Sequence, residues 1–365
     1  MVAGVSGRVH TKQHLIYARS VNQFPPGNPK PVGWRTSRGH RMYDLFYGFS
    51  EEPFRLSPDH SFAFQHRSYK RARAYMAYAF MRAEGFVMVT GRPGTGKTTL
   101  VGAVLEDLSS ERAAIAQLVT SQLEADDLLR MVAYEFGVDI SIRDKGTLLQ
   151  SLARLLQRWE REGKRALLIV DEAQALTKPA MEELRMLTNL QQRGKPLLQI
   201  FLLGQPELRE LVLLPELEQV HQRIVAACHL SSLEADETEA YVRHRLETVG
   251  WNGDPAISEA VYPLVFKFSE GVPRRINLIC SRLFLHGGVE EKHRLGVDDL
   301  REVVRELQDE HLAAGDALTE NDFAAADQFE PLLSPVPNTA DQDESKDPKG
   351  PKPPKRGLFG GQRRR

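Results

Sequence analysis

The sequence predicts an α/β fold, in which helices cover both faces of a parallel sheet, followed by a small all-helical unit. Short apolar runs alternate with segments of helical period between residues 86 and 230, as in repeated strand–helix units. The run at residues 166–170 is apolar throughout, which is expected of a central strand buried on both faces. Strand signals stop near Glu234, and only helical periods continue beyond it.

The individual elements follow from these periods in chain order. A first helix is predicted at 69–83, where Tyr75, Ala79 and Phe80 stand among basic residues. Apolar runs predict strands at residues 86–90, 113–119, 166–170, 197–203 and 224–230. Between them, helices are predicted at 96–108, 123–136, 147–161 and from about Pro179. The last helices are predicted at residues 238–249, 258–268, 273–285 and 297–307.

The chain of 365 residues is predicted to have two folded domains between two disordered ends. Residues 1–41 hold seven Lys or Arg, no acidic residue and no sustained period, and are interpreted as a disordered extension. Residues 42–233 are assigned to the α/β domain and residues 234–311 to the helical domain. Residues 312–365 are interpreted as a disordered, basic tail rich in Pro and Gly, which acts as a solubilising segment. Contact of this tail with anionic lipid or with nucleic-acid phosphates is the alternative.

Charge and apolar content exclude several classes. The formal net charge of −1 gives the chain as a whole no attraction to nucleic acid or membrane. No run of about 18 apolar residues occurs, and no apolar stretch follows the early basic residues, so neither a membrane span nor a secretory signal is predicted. We therefore expect a cytoplasmic protein. Cys228 and Cys280 lack a CxxC partner and are interpreted as small buried apolar residues.

A glycine-rich loop joins the first predicted strand to the next helix. Residues 91–98 read GRPGTGKT and fit G-x-x-x-x-G-K-[ST] at every fixed position. Such a loop turns backbone N–H groups and a helix N-terminus towards phosphates, with Lys97 on the β and γ phosphates and Thr98 on Mg²⁺. A chance glycine turn is the alternative, and the strand–loop–helix context disfavours it. The predicted ATP-binding residues are Gly91, Arg92, Pro93, Gly94, Thr95, Gly96, Lys97, Thr98 and Thr99.

An acidic pair ends a later buried strand. Asp171 and Glu172 follow the apolar residues 167–170 and are expected at the sheet edge that also carries the phosphate loop. We expect Asp171 to hold Mg²⁺ through water and Glu172 to orient and polarise an attacking water. An ordinary acidic helix N-cap is the alternative, which the nearby phosphate loop makes the weaker interpretation.

Three more polar residues are candidates for completing the site. Gln205 follows the apolar residues 198–203, where it can touch the γ phosphate or the attacking water; a turn-forming polar residue is the alternative. Arg223 precedes the last strand and can reach a neighbouring subunit's nucleotide, or is a solvated arginine at a helix end. Arg274 opens a helix of the second unit, where it can fold onto the γ phosphate and report its loss, or face solvent.

Together these motifs resemble the AAA+ family over about residues 42–308. The order of phosphate loop, acidic pair, Gln205, Arg223 and the segment GVPRRIN at 271–277 is that of the family. The resemblance implies a P-loop NTPase core with a small helical lid, which binds ATP and Mg²⁺ and hydrolyses ATP. It further implies that Gln205 is the first sensor, Arg223 the arginine finger and Arg274 the second sensor. Many members of the family have Asn or Thr at the first-sensor position, and the side chain of Gln205 is longer than either.

A closer likeness lies within that family. The segments YGF at 47–49, PF at 53–54, PD at 58–59, DEAQ at 171–174, ELRML at 183–187 and GQPE at 204–207 resemble the ATPase component A of the general secretion pathway. Residues 117–130 and 244–251 resemble, within that group, the exosortase (PEP-CTERM) system-associated ATPase. The resemblance implies inner-membrane partners from envelope assembly, exopolysaccharide assembly or secretion. A homo-oligomer and peripheral contact with the inner membrane are separate expectations, which come from the possible action of Arg223 on a neighbouring subunit and from the basic tail.

Three functions are consistent with the sequence. The first is an ATPase whose cycle moves the helical unit and so drives or gates an envelope-assembly complex. The second is a DNA-associated switch like the transposition and replication-initiation ATPases that share this core, although no helix with base-reading residues stands out. The third is a nucleotide-dependent scaffold without turnover, which Glu172 argues against because pure binding needs no water-orienting carboxylate.

Overall fold

The computed structural model describes residues 43–57, 59–82, 85–109, 113–119, 123–310 and 320–327. Its main sheet consists of β1 (Phe86–Thr90), β2 (Ala113–Val119), β3 (Arg165–Asp171), β6 (Leu198–Gly204) and β7 (Ile224–His229). The strand order is β2-β3-β6-β1-β7, and every neighbouring pair is parallel. This sheet confirms the predicted α/β fold and the five predicted strands.

Helices surround the sheet and then continue alone. The α-helices are α1 (Tyr43–Phe46), α2 (Arg67–Arg82), α3 (Lys97–Ser109), α4 (Ala125–Glu135), α5 (Lys145–Arg161), α6 (Lys178–Leu187), α7 (Glu207–Val212), α8 (Glu218–His221), α9 (Ala235–Thr248), α10 (Val261–Ser269), α11 (Pro273–Val289), α12 (Val297–Asp309) and α13 (Glu320–Asp327). Two short ladders, β4 (Gln191–Gln192) with β5 (Lys195–Pro196) and β8 (Ala256–Ile257) with β9 (Arg294–Leu295), lie outside the main sheet. None of the helices among the described residues is both long and apolar enough to cross a bilayer.

Local chemistry explains where the helices around the sheet begin. The Asp144 side chain accepts the backbone N–H of Thr147 at 2.7 Å and so caps α5. Thr177 caps α6 in the same way, through the N–H of Ala180 at 3.3 Å, and Pro179 occupies the first turn. The helix predicted to begin at residue 258 starts only at Val261, because residues 256–257 pair in β8 and the chain then turns at residues 259–260.

Alternate residues of the sheet supply two separate cores. On one face, Leu168 and Ile200 pack with the apolar sides of α4, α5 and α6. On the other face, Leu167 and Phe201 pack with α2 and α3. Because side chains of a strand alternate between faces, β3 and β6 must be apolar at every position to serve both cores. These two strands therefore appear in the sequence as continuous apolar runs.

A third core lies in the helical unit formed by α9–α12 (residues 235–309). Large aromatic side chains from before the sheet, including Tyr47, Phe54 and Phe62, are buried in this core beside Phe284. The predicted domain boundary places residues 42–64 in the α/β domain, whereas these rings belong to the core of the helical unit. Aromatic rings pack where they bury the most apolar surface, and here that place is not the domain that follows them in the sequence.

The predicted disorder of residues 312–365 is wrong for α13. Phe323 is buried against α10 and α12, and the Arg301 guanidinium lies 5.0 Å from the centre of its ring. A single aromatic residue in a polar segment produces no helical period, so the pattern could not predict this helix. The predicted disorder of residues 1–41 and 328–365 concerns segments outside the described residues. Cys280 is buried as predicted and Cys228 is half-buried.

Candidate nucleotide site

The phosphate loop (residues 91–98) turns sharply between β1 and α3. Gly94 and Gly96 have φ angles of +82° and +93°, which glycine adopts without the strain of a β carbon. Gly91 donates its N–H to the carbonyl of Gly204 at 3.1 Å, which ties the loop to the end of β6. The sequence therefore forms the predicted loop at the carboxyl edge of the sheet.

Lys97 opens α3 and its ammonium group lies within the loop. Its Nζ donates to the carbonyls of Gly91 at 2.8 Å and Arg92 at 3.2 Å. Burial lowers the pKa of Lys97, while the nearby carboxylates Glu172 and Asp171 act in the opposite direction. A buried cation held by carbonyls at a helix N-terminus is a strong binding group for a phosphate oxygen.

The remaining loop residues divide into buried and cavity-facing positions. Thr95 is buried, and its hydroxyl donates to the Arg92 carbonyl at 2.9 Å, which stabilises the turn. Arg92 is exposed and forms an ion pair with Glu270 of the helical unit at 2.5 Å. The loop residues that line the adjoining cavity are Pro93, Gly94, Thr95, Gly96, Lys97, Thr98 and Thr99.

The acidic pair lies directly opposite the start of α3. The Thr98 hydroxyl donates to Oδ2 of Asp171 at 3.4 Å, and Oδ1 of Asp171 accepts the N–H of Glu172 at 2.9 Å. Burial raises the pKa of Asp171, and the charge of Glu172 adds to that rise, which a cation would reverse. A hydroxyl and a carboxylate side by side are hard oxygen donors. They suit Mg²⁺, which takes one or two protein ligands and completes its shell with phosphate and water oxygens.

Glu172 is held in an unusual backbone conformation. Its φ and ψ are 53° and 37°, the left-handed region that a non-glycine residue enters at a cost of about 1–2 kcal/mol. Two side-chain amides donate to its Oε2, that of Gln174 at 2.6 Å and that of Gln205 at 3.3 Å. The carboxylate is therefore oriented by defined partners at the rim of the cavity.

The three predicted sensor and finger residues have different surroundings. Gln205 contacts Glu172, so it lies at the acidic pair. Arg274 lines the cavity, and its N–H donates to the carbonyl of Gly94 at 3.2 Å, so the helical unit touches the phosphate loop directly. Arg223 lies elsewhere: its guanidinium donates to the Thr188 hydroxyl at 2.6 Å.

Arg223 is far from the phosphate loop of its own chain. It precedes Ile224, which pairs with Phe86 at the start of β1, whereas the loop follows the end of that strand. At about 3.3 Å per residue, the strand separates Arg223 from the loop by about 15 Å. Arg223 therefore takes no part in the cavity of its own chain.

The cavity beside the phosphate loop has a volume of about 260 Å³ and a second, less polar end. No motif in the sequence predicts the residues of this end. They come from the segment before the sheet and from the helical unit, namely Leu56, Phe62, Phe64, His66, Tyr69, Leu233, Tyr241, Arg245 and Asn277. Burial lowers the pKa of His66, which favours its neutral ring. The only sequence signal for this end is the cluster of aromatic residues before α2.

Hydrogen bonds between distant segments hold this end together. Nε of Arg245 donates to the carbonyl of Pro53 at 2.7 Å, and its guanidinium lies 4.6 Å from the ring centre of Phe62. The Tyr241 hydroxyl donates to Asn277 at 2.8 Å. A partly aromatic end next to a phosphate loop can accommodate a planar base.

Comparisons with known proteins agree with this geometry. Residues 81–212 match the AAA domain family. General secretion pathway protein A of Aeromonas hydrophila is 38% identical over 262 residues, which cover 71% of this chain and 47% of that protein. ATP-dependent target DNA activator B of Escherichia phage D108 is 31% identical over 111 residues, which cover 30% of this chain and 33% of that protein. The chain thus spans about half of the first relative and a third of the second.

A solved structure has the same fold. The Aeropyrum pernix ORC2 protein, in ADPNP–ADP complexes, matches with a TM-score of 0.51 at 18% identity, covering 74% of this chain and 72% of that one. This likeness concerns the fold alone. It confirms the fold that the sequence predicts, while the AAA domain match and the relative from Aeromonas hydrophila support the predicted type of enzyme. The chain is a P-loop ATPase of the AAA+ fold, similar to general secretion pathway protein A.

Proposed function

We propose that this chain binds ATP with Mg²⁺ in the cavity, hydrolyses it, and converts the state of the nucleotide into movement of the helical unit. The observation that carries the proposal is that one cavity is lined by Lys97, Thr98, Asp171 and Glu172 from the sheet and by Arg274 from the helical unit. The less polar end of the same cavity is suited to the adenine ring.

The phosphate end supplies the charge that hydrolysis requires. Lys97 and the loop N–H groups bind the β and γ phosphates, while Thr98 and Asp171 hold the metal ion. Bound Mg²⁺ neutralises charge that develops on the phosphate oxygens. Burial raises the pKa of Asp171 and so disfavours its charged form, which a cation held beside it would favour again.

Glu172 performs the proton transfer. Its carboxylate accepts a proton from a water whose oxygen attacks the γ phosphorus, as the bond from that phosphorus to the bridging oxygen of ADP breaks. ADP and inorganic phosphate are the products. The two amides on Oε2 of Glu172 support this role, because they orient the carboxylate before the substrate arrives.

The helical unit responds through its direct contact with the phosphate loop. The first turn of α11 bonds to Gly94, and Arg274 can bind a γ phosphate and lose this partner on hydrolysis. We propose further that Arg223 acts on the nucleotide of a neighbouring subunit in a homo-oligomer. Its distance from its own cavity supports that arrangement.

The setting that we propose is secretion or envelope assembly at the cytoplasmic face of the inner membrane. Similarity to general secretion pathway protein A supports it. A link to an exosortase and to exopolysaccharide assembly is the finer proposal, and it rests on the resemblance of residues 117–130 and 244–251. The partners would then be inner-membrane proteins of that machinery. Copurification with the Glu172→Gln variant, loaded with ATP, would identify them.

Nucleotide binding and turnover in purified variants test the function. Lys97→Ala should abolish ATP binding, because the main phosphate ligand is lost. Glu172→Gln should bind ATP normally but lose turnover on the order of 10²-fold or more, because the proton acceptor is lost. Lys164→Ala, at an exposed surface ion pair, is the matched control and should behave as wild type. Unchanged turnover in Glu172→Gln would reject the assigned role.

A DNA-associated switch is the second candidate, and similarity to a target DNA activator supports it. It requires that DNA stimulates ATP turnover and that rising salt removes the stimulation steeply. ATPase assays with and without duplex DNA, at 50 and at about 200 mM salt, separate the two candidates. DNA-independent turnover would favour the secretion setting.

A further inference from the structure

Gln174 bridges two parts of the site that the motifs describe separately. It lies in the 3-10 turn Ala173–Ala175, directly after the acidic pair. Its Nε2 donates to Oε2 of Glu172 at 2.6 Å, and its Oε1 accepts the backbone N–H of Gln205 at 3.0 Å. One side-chain amide therefore connects the carboxylate at the end of β3 to the end of the neighbouring strand β6.

The space around this amide is restricted in two ways. A β carbon on Gly204 would lie 2.6 Å from Oε1 of Gln174, so any residue other than glycine would displace the bridge. The left-handed backbone of Glu172 is held by a hydrogen bond from the N–H of Ala175 to the Glu172 carbonyl at 2.9 Å. The turn thus presents carboxylate and amide to each other in one geometry.

We propose that Gln174 is a positioning residue for ATP hydrolysis, which holds Glu172 in a productive orientation without touching the nucleotide. The inference rests on the proposed role of Glu172 in activating water. Glu172 lines the cavity, whereas Gln174 and Gln205 are absent from the lining that the described residues form. An effect of Gln174 on turnover therefore acts through the carboxylate.

The bridge also gives Gln205 two contacts with the acidic pair. Its backbone N–H binds Gln174, and its side-chain amide donates to the same Oε2 of Glu172 at 3.3 Å. A displacement of the end of β6 would therefore move both amides and change the orientation of the Glu172 carboxylate. Gln174 makes the shorter of the two hydrogen bonds to Glu172. We therefore expect the loss of the Gln174 amide to leave the Glu172 carboxylate less well oriented than the loss of the Gln205 amide would.

Gln174→Met is the decisive variant, because it keeps length and volume but removes both hydrogen bonds. We expect kcat to fall on the order of 10²-fold, while the Kd of ATP stays at the wild-type value and the melting temperature falls only by what the unpaired Gln205 N–H costs. In a Glu172→Gln background the same substitution should have no further effect, because residues that act as one unit are not additive. Gln222→Met removes a surface amide–carboxylate bond, to Glu218, and is the matched control.

A second readout needs no turnover. With glutamine side chains labelled with ¹⁵N, the Gln174 amide resonance should shift in Glu172→Ala, and its exchange with water should accelerate. Wild-type kcat in Gln174→Met, or an unmoved Gln174 resonance, would overturn the inference. A wild-type chain that binds ATP but never hydrolyses it would instead refute the proposed function, even with the resonance shifted.

Discussion

Gly94 is the residue at which the phosphate loop meets the helical unit. Its carbonyl accepts the N–H of Arg274, and a β carbon on it would lie 2.6 Å from Cβ of Arg274. Its φ of +82° adds the strain that any other residue would meet there. Position 94 is a variable position of the loop motif, so the demand for glycine comes from its positive φ and from the contact with Arg274.

Gly94→Ala should therefore separate α11 from the loop. We expect a loss of about 1–3 kcal/mol in the free energy of unfolding and at least a tenfold loss of ATP turnover. Gly163→Ala is the control, because its φ is +73° but its β carbon would meet nothing within 4 Å. Urea unfolding and ATPase assays provide the measurements. Equal losses of stability in the two variants, with normal turnover, would contradict the proposed contact.

At the scale of elements, the Asp299 side chain joins the start of α12 to the end of α11 and the loop between them. Oδ2 of Asp299 accepts the N–H of Gly296 at 2.8 Å before α12, while Oδ1 accepts Nζ of Lys292 at 2.6 Å and lies 3.3 Å from His286 Nε2. Burial acts to raise the pKa of Asp299, but these hydrogen bonds outweigh it and hold the pKa below its ordinary value.

The sign of the resulting pH dependence follows from that lowered pKa. Asp299 contributes stability above its unfolded pKa of about 3.9, and this contribution disappears as pH falls through the lower folded pKa. Asp299→Asn should lower the free energy of unfolding by about 1–3 kcal/mol at pH 7, with the difference from wild type shrinking towards pH 3. Denaturant unfolding at several pH values measures it. The control Asp298→Asn, at the exposed neighbouring carboxylate, should change little, and a pH-independent loss in Asp299→Asn would contradict the assignment.

Arg245 of α9 binds the segment before the sheet to the helical unit. Its buried guanidinium donates to the carbonyls of Pro53 and Arg55 at 2.7 and 3.3 Å. Arg245→Ala should cost about 2–4 kcal/mol and expose residues 43–66 to proteolysis, because buried carbonyls lose their donors. Arg243→Ala, at a surface ion pair of the same helix, is the comparison and should resist digestion like wild type. Equal protease resistance of both variants would show that other contacts hold the segment.

At the scale of the whole molecule, the two folded parts share one cavity and one ion-pair network. Glu270 pairs with Arg92 of the phosphate loop at 2.5 Å and with Arg275 of α11 at 3.1 Å. These groups are partly exposed, so each pair alone contributes little stability. Their position matters more, because any movement of the helical unit must rearrange them together with the Gly94 contact.

The proposed action of Arg223 on a neighbouring subunit gives a prediction for mixtures. Arg223→Ala should bind ATP but hydrolyse it slowly, and Lys97→Ala should not bind ATP. Mixing the two inactive variants should restore part of the turnover, because a Lys97→Ala subunit supplies an intact Arg223 to the nucleotide of its neighbour. ATPase assays across mixing ratios measure it. Full activity of Arg223→Ala as a monomer would contradict the proposed role of Arg223 at the nucleotide of a neighbouring subunit.

The part of the site that could be predicted from the sequence consists of short motifs of consecutive residues. The phosphate loop and the acidic pair each follow an apolar strand, and the strand pattern brings both to one sheet edge. Gln174 lies within such a motif, yet its bond to the Gln205 N–H depends on the neighbouring strand, so no spacing predicts it. The helices α7 and α8 were missed because each is at most six residues long.

The sequence by itself determined the parallel sheet, the phosphate loop and the acidic pair at the end of β3, because periodic apolar residues and glycine positions act over a few neighbouring residues. Only the tertiary structure decided that aromatic residues before the sheet belong to the core of the helical unit, and that α11 touches Gly94. Such contacts join residues more than 100 positions apart. Their choice depends on which buried surfaces and hydrogen-bonding groups remain once the local elements have formed.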